Sequence, residues 1–266
     1  MLRLATARRT AGPLVAVALV VLASVLAACA DDDDGAGAEP TGEVTVLAAS
    51  SLTEAFEQIA EAFEADHPGV EVELTFDASS ALATQIREGV PGDVFASADE
   101  TSLAQVVDAG LGEGEPARFA SNRLQIAVPR GNPAGVGSLA DLASGDLRLA
   151  LCAPEVPCGS YARQSFERAG LGVPAASEEE NVRGVLTKVA LGEADAGIVY
   201  VTDVLANGDV EGIDLPDAAQ VVAAYPALAL RDAPNPTAAA AFVAYLSSTE
   251  ARGILVRLGF GPPTTP

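Results

Sequence analysis

Apolar and polar positions along the chain switch between two periods. Residues 44–48 form a short apolar run of the kind found in a buried strand. Over 52–66, Leu52, Ala55, Phe56, Ile59, Ala60 and Phe63 recur at three- and four-residue spacings, which puts them on one face of a helix. His67-Pro68-Gly69 ends that helix. From 70 to 76, Val70, Val72, Leu74 and Phe76 alternate with Glu71, Glu73 and Thr75, the two-residue period of a strand with one buried face. The pattern next predicts a helix over 80–88, a buried strand over 94–98 and a helix over 100–108. Repeated strand and helix units of this kind predict a mostly parallel sheet covered on both faces.

After Asn122 the pattern starts again. Strands are expected over 124–128, 148–151 and 196–201, with helices over 159–169 and 181–191, enough for a second α/β lobe. A strand over 221–230 precedes two helices, 237–247 and 249–258. Their apolar residues Phe242, Val243, Tyr245, Leu246, Ile254, Leu255 and Leu258 could cap either lobe.

The start of the chain reads differently. Arg3, Arg8 and Arg9 lead into an apolar run, 14–28, that is too short and too alanine-rich for a membrane span and reads as an export signal. It ends in Leu26-Ala27-Ala28-Cys29, which resembles the lipobox of bacterial lipoproteins, where cleavage precedes the cysteine and the cysteine carries the lipid. On that resemblance 1–28 is a signal peptide and Cys29 anchors the protein to the outer face of the cell membrane. An ordinary signal with an incidental cysteine is the alternative. The acidic and Gly/Ala/Pro-rich stretch 29–42 has little apolar area to bury and reads as a disordered tether.

Charge narrows the function classes. With 15 basic and 37 acidic residues the chain carries a net charge of −22, and Lys188 is its single lysine. No basic cluster occurs, which argues against binding nucleic acid through charge. The same balance repels an anionic ligand at long range, so local dipoles would have to win, with distant charges screened beyond ~8 Å. Cys152 and Cys158 lie close in sequence, and an oxidising compartment favours a short-loop disulfide. Two free buried thiols remain the alternative, because sequence does not give the Cα separation a bridge requires.

Candidate chemistry sits where strands give way to helices. In open α/β sheets, ligands gather beyond the carboxyl ends of strands, near helix N-termini with unpaired N–H groups. The first such turn is Ala48-Ala49-Ser50-Ser51-Leu52-Thr53 and the second Asp77-Ala78-Ser79-Ser80-Ala81-Leu82. Helix capping alone would explain any one of these serines. His67 has no second histidine to work with, and no GxSxG, HExxH or P-loop pattern is present, so an enzyme is not expected. Asp93, Asp99, Asp195 and Asp203 read as helix caps and hinge contacts, and Arg183 as an interlobe or structural charge.

Six ordered motifs carry a wider resemblance. They are Ala-Ala-Ser-Ser-Leu-Thr-Glu-Ala-Phe (48–56), Ala-Ser-Ser-Ala-Leu-Ala-Thr-Gln-Ile (78–86), Gly-Asp-Val-Phe-Ala-Ser-Ala-Asp (92–99), Pro-Glu-Val-Pro-Cys-Gly (154–159), Asn-Val-Arg-Gly-Val-Leu (181–186) and Ala-Gly-Ile-Val-Tyr-Val-Thr-Asp (196–203). Together they resemble the periplasmic molybdate-binding proteins of ABC importers, from Val44 to Phe260. The resemblance implies a two-lobed, type II periplasmic-binding-protein-like α/β fold, each lobe a mostly parallel sheet flanked by helices and joined to the other by crossover strands. Residues 43–123 with 228–266 would form lobe 1, and 124–227 lobe 2.

It also implies a ligand set: Ser51 and Ser80 through their hydroxyls, Cys158 and Val182 through main-chain N–H groups, and Tyr200 through its phenol. Every member of that set is a neutral donor, which suits a fully deprotonated dianion; hydrogen phosphate would want an acceptor. The preference for molybdate, or tungstate, over sulfate rests on the resemblance alone. So do the expected partners, a membrane permease and its ATPase. No cofactor is expected, and the protein is expected to be a monomer. Another oxyanion as ligand, or a sensory or interaction lipoprotein on the same fold, are the alternatives.

Overall fold

The computed structural model describes residues 39–173 and 177–264. The expected signal segment 1–28, Cys29 and most of the expected tether lie outside the described residues. The tether's last residue, Gly42, already belongs to the first strand, where it pairs with Val70.

Two five-stranded sheets share one strand. In the first, β1 (Gly42–Ala49) pairs in parallel with β2 (Val70–Asp77) on one side and β3 (Val94–Ala96) on the other. β9 (Val222–Leu230) joins β3 antiparallel, and β4 (Gly112–Pro129) joins β9 antiparallel. Past Arg123 the same β4 leaves this sheet. Its residues Leu124 to Ala127 pair with β7 (Ala196–Tyr200), and Gln125 to Pro129 pair with β8 (Val210–Asp214). The second sheet is completed by β5 (Leu149–Cys152), parallel to β7, and β6 (Ser177–Glu179), parallel to β5. Each sheet is therefore parallel over three strands and antiparallel where the crossover strands enter. β9 pairs along its whole length with the first part of β4, so residues 222–227 lie in the first sheet.

The helices follow the apolar periodicity. α1 (Thr53–Asp66) buries Ala55, Phe56, Ile59, Ala60 and Phe63, the stripe read from the sequence. α2 (Ser79–Arg87) and α3 (Glu100–Asp108) flank the first sheet, whereas α4 (Pro157–Arg168), α5 (Val182–Ala190) and the short α6 (Val201–Leu205) belong to the second. α7 (Pro236–Tyr245) and α8 (Thr249–Arg257) close on the first lobe. The Phe242 ring meets Phe63 edge-on at 5.2 Å and Phe56 at 6.0 Å, and Tyr245 meets Phe63 at 5.2 Å. Edge-to-face pairs of this kind add to area burial, which fixes where these two helices pack.

Three strands escaped the sequence reading for a common reason. The first half of β4 carries Gly112, Gly114 and Pro116 among charged residues, and its ladder with β9 shifts register twice. β6 and β8 are short and rich in Glu, Asp and Gly. None shows the apolar alternation by which a half-buried strand is recognised. Val201, expected to end a strand, instead opens α6, because the Asp203 carboxylate accepts the Tyr200 N–H at 2.9 Å and starts the helix there.

Candidate functional site

Four helix starts converge where the lobes face each other. The 3₁₀ turn Ser50–Leu52 leads into α1, and α2 starts at Ser79; α4 and α5 bring Pro157 and Val182 from the other lobe. The first N–H groups of a helix have no partner within it, and the helix dipole adds positive potential at that end. At α4 the first residue is Pro157, which has no N–H to leave unpaired, so Cys158 supplies the first free donor. Gly159 follows because a Cβ there would collide with the Cys152 and Ala153 carbonyl oxygens over which the turn closes. Cys152 and Cys158 are joined by a disulfide with Cα atoms 5.7 Å apart, tying the start of α4 to the end of β5.

These starts enclose a small cavity lined by Ala49, Ser50, Ser51, Asp77, Ala78, Ser79, Ala98, Val156, Pro157, Cys158, Val182 and Tyr200. The space open to the centre of a water molecule is about 10 Å³.

Of the five residues expected at the site, Ser51, Cys158, Val182 and Tyr200 line this cavity. Ser80 does not. It is half-exposed and faces a neighbouring cleft, and Ser79, buried at 1 % exposure, takes the place expected of it. Successive helical residues point about 100° apart, so one step along α2 turns a hydroxyl from the cavity to the cleft. Ser79 is held inward because its Oγ accepts the Ala98 N–H at 2.9 Å, which leaves its proton free to donate.

Tyr200 stands out within this group. Its phenol is fully buried and its oxygen has no hydrogen-bond partner among the described residues. Burial pushes its ionisation well above the ordinary tyrosine range, so it stays a neutral donor. An unpaired buried hydroxyl costs free energy, and its position at the cavity wall implies a partner that arrives from outside.

Two carboxylates are close, each with one oxygen engaged by a backbone N–H. Asp77 borders the cavity, yet its Oδ1 accepts the Ala78 N–H at 2.7 Å and lies 3.4 Å from the Asn181 amide nitrogen. Asp203 lies behind Tyr200, and burial raises its carboxyl to about 7. The neighbouring cleft, about 580 Å³, is much larger and presents Asp77, Glu155, Glu178, Glu179 and Glu180. Asp77 is shared, but the cleft adds four glutamates, of which Glu178 and Glu179 pair with Arg163 and Lys188 and Glu155 and Glu180 do not pair among the described residues, so the donor-lined cavity suits an anion better despite its size.

The other residues weighed from sequence have structural roles. Asp99 caps α3 through the Ser102 N–H at 3.0 Å; Asp93 accepts the N–H groups of Thr45 and Asn235; Asp195 pairs with Arg148. The His67 ring packs on Phe63, with its Nδ1 3.0 Å from the Phe63 carbonyl oxygen. Arg183 reaches across the lobes to Glu54 and to the Ser50 carbonyl.

The family model described as bacterial extracellular solute-binding protein matches residues 44–261. The chain belongs to that family. This solute-binding protein is 40% identical over 251 residues to the molybdate-binding protein ModA of Mycobacterium tuberculosis strain H37Rv, covering 93% of this chain and 96% of that one. It is 30% identical over 242 residues to a putative ABC transporter substrate-binding lipoprotein, YvgL, of Bacillus subtilis, covering 89% and 93%. Among solved structures it is similar to the sulfate-binding protein SubI of M. tuberculosis, with a TM-score of 0.75 at 17% identity over 83% of this chain and 87% of that one. At that identity the likeness is one of fold.

Proposed function

We propose that this solute-binding protein captures molybdate between its lobes and delivers it to the membrane permease of an ABC importer. The observation that carries the reading is the Tyr200 hydroxyl, buried without a partner at the wall of a cavity formed by helix N-termini. In this reading Tyr200 and the hydroxyls of Ser51 and Ser79 donate to the oxyanion, together with the main-chain N–H groups of Cys158 and Val182. Ser79 replaces Ser80 in the ligand set because it is the inward member of the pair. Burying a dianion is costly unless donors saturate its oxygens, and a site with several converging donors meets that need. Tungstate, with the same charge and shape, is expected to compete.

The full chain in this reading is a monomeric lipoprotein anchored at Cys29. Its lobes, divided where β4 leaves the first sheet after Arg123 and where β9 enters it at Val222, close about the crossover strands β4 and β9. The similarity to ModA supports molybdate, and the similarity to a lipoprotein supports the anchor. Melting with and without anions tests the ligand. Molybdate at a hundredfold excess over its dissociation constant should add ~2.7 kcal/mol to stability, and sulfate much less. An equal or larger shift with sulfate would overturn the choice of anion.

A further inference from the structure

A chain of side chains joins the ligand cavity to the crossover strands. Ser51 Oγ lies 2.8 Å from the Tyr225 hydroxyl, in buried surroundings. Asn122 Nδ2 lies 2.9 Å from Thr202 Oγ1 and 3.5 Å from the Tyr225 hydroxyl. Tyr225 is on β9 and Asn122 on β4, whereas Thr202 is on α6 of the second lobe and Ser51 precedes α1 of the first. The members thus come from both lobes and both crossover strands.

The proton positions follow from the partners. Asn122 Oδ1 accepts the Arg123 N–H at 2.9 Å, which fixes its Nδ2 on the side facing Thr202 and Tyr225. An amide nitrogen only donates, so the Tyr225 oxygen accepts from it. The Tyr225 proton then has one acceptor among its described partners, Ser51 Oγ. Burial keeps that phenol protonated, since its ionisation is pushed far above the ordinary range. Ser51 Oγ therefore accepts, and its own proton is free to point at the cavity.

We propose that Tyr225 and Asn122 are positioning residues that hold the Ser51 hydroxyl as a donor to the bound oxyanion. The inference rests on the reading of the cavity as the anion site. A serine free to rotate would spend part of its time with a lone pair toward the anion, so fixing its proton raises affinity without adding a contact. The Tyr225 ring is itself fixed by Tyr200, Phe119 and Phe260, with centroids at 6.1, 6.3 and 5.5 Å. Replacing it by phenylalanine removes the hydroxyl and leaves that packing in place.

A double-mutant cycle read by calorimetric titration with sodium molybdate tests this. Ser51→Ala should lower affinity at least about tenfold and Tyr225→Phe about fivefold. In the Ser51→Ala background Tyr225→Phe should change affinity by less than about twofold, because nothing is left for it to orient. The melting temperature of each anion-free variant shows whether it folds. Asn122→Ala, expected to act in the same direction and to fall silent in the same background, carries the test if Tyr225→Phe does not fold. A large loss in Ser51→Ala with none in Tyr225→Phe and Asn122→Ala, or equal losses for them in both backgrounds, would overturn the positioning role and leave the site reading intact. No loss in Ser51→Ala would overturn the site reading, and the positioning role with it.

Discussion

Arg183, in the first turn of α5, pairs with Glu54, in the first turn of α1, and donates from Nε to the Ser50 carbonyl at 3.2 Å. These contacts join the two lobes directly beside Val182 and Ser51. Solvent reaches 28% of the Arg183 side chain and 38% of the Glu54 side chain, so screening limits the pair to about 0.5–1 kcal/mol. Arg183→Ala should therefore weaken molybdate binding several-fold, with a larger effect at low salt, as titrations at two ionic strengths would show. Unchanged affinity at both would mean that the pair does not favour the liganded arrangement.

Tyr200→Phe should act on stability and binding in opposite senses. Without ligand it removes a buried hydroxyl that has no partner, so the melting temperature should stay level or rise. With molybdate it removes a donor to a charged group, at a cost of about 1.5–3 kcal/mol of affinity. Denaturation and titration of one variant give both numbers. A fall in anion-free stability would place the hydroxyl in the fold's own hydrogen bonding.

Asp203 should make stability depend on pH. Burial raises its carboxyl to about 7, against the Tyr200 N–H and Arg183, which favour the anion, and with Glu54, which disfavours it. The folded state then keeps a proton that the unfolded chain loses near 3.8. The stabilisation is complete below 3.8, declines as pH rises toward 7 and is absent above it. Urea denaturation at pH 5 and pH 8 should show a greater loss in the protein than in Asp203→Asn, which can still accept the Tyr200 N–H. Equal losses would remove Asp203 as the cause.

Ser79 and Ser80 provide an internal control. Ser79→Ala should weaken molybdate binding by about 1.5–3 kcal/mol, and Ser80→Ala should leave it near its original value, since Ser80 faces the acidic cleft. The reverse order, read by the same titration, would restore the assignment drawn from the motif.

That serine pair also marks how far the sequence could be read. Ser51, Cys158, Val182 and Tyr200 are implied by the motif resemblance, and all four reach one cavity. Choosing between two adjacent serines is different. The choice depends on the Ala98 N–H, nineteen residues away, and no local pattern announces that contact. The same holds for the crossover region, where glycine, proline and charges erase the two-residue period of β4. Tyr225 and Asn122 went unread because each looks like an ordinary strand residue until the fold brings Ser51 to them. Long-range pairing supplied what local periodicity could not.

The proposed function depends on which anion the cavity holds. Titration calorimetry of the exported protein with molybdate, tungstate, sulfate and phosphate should give one site per chain, tight binding of molybdate and tungstate, weaker binding of sulfate and no measurable binding of phosphate. No heat with molybdate, or phosphate bound more tightly than molybdate, would contradict it.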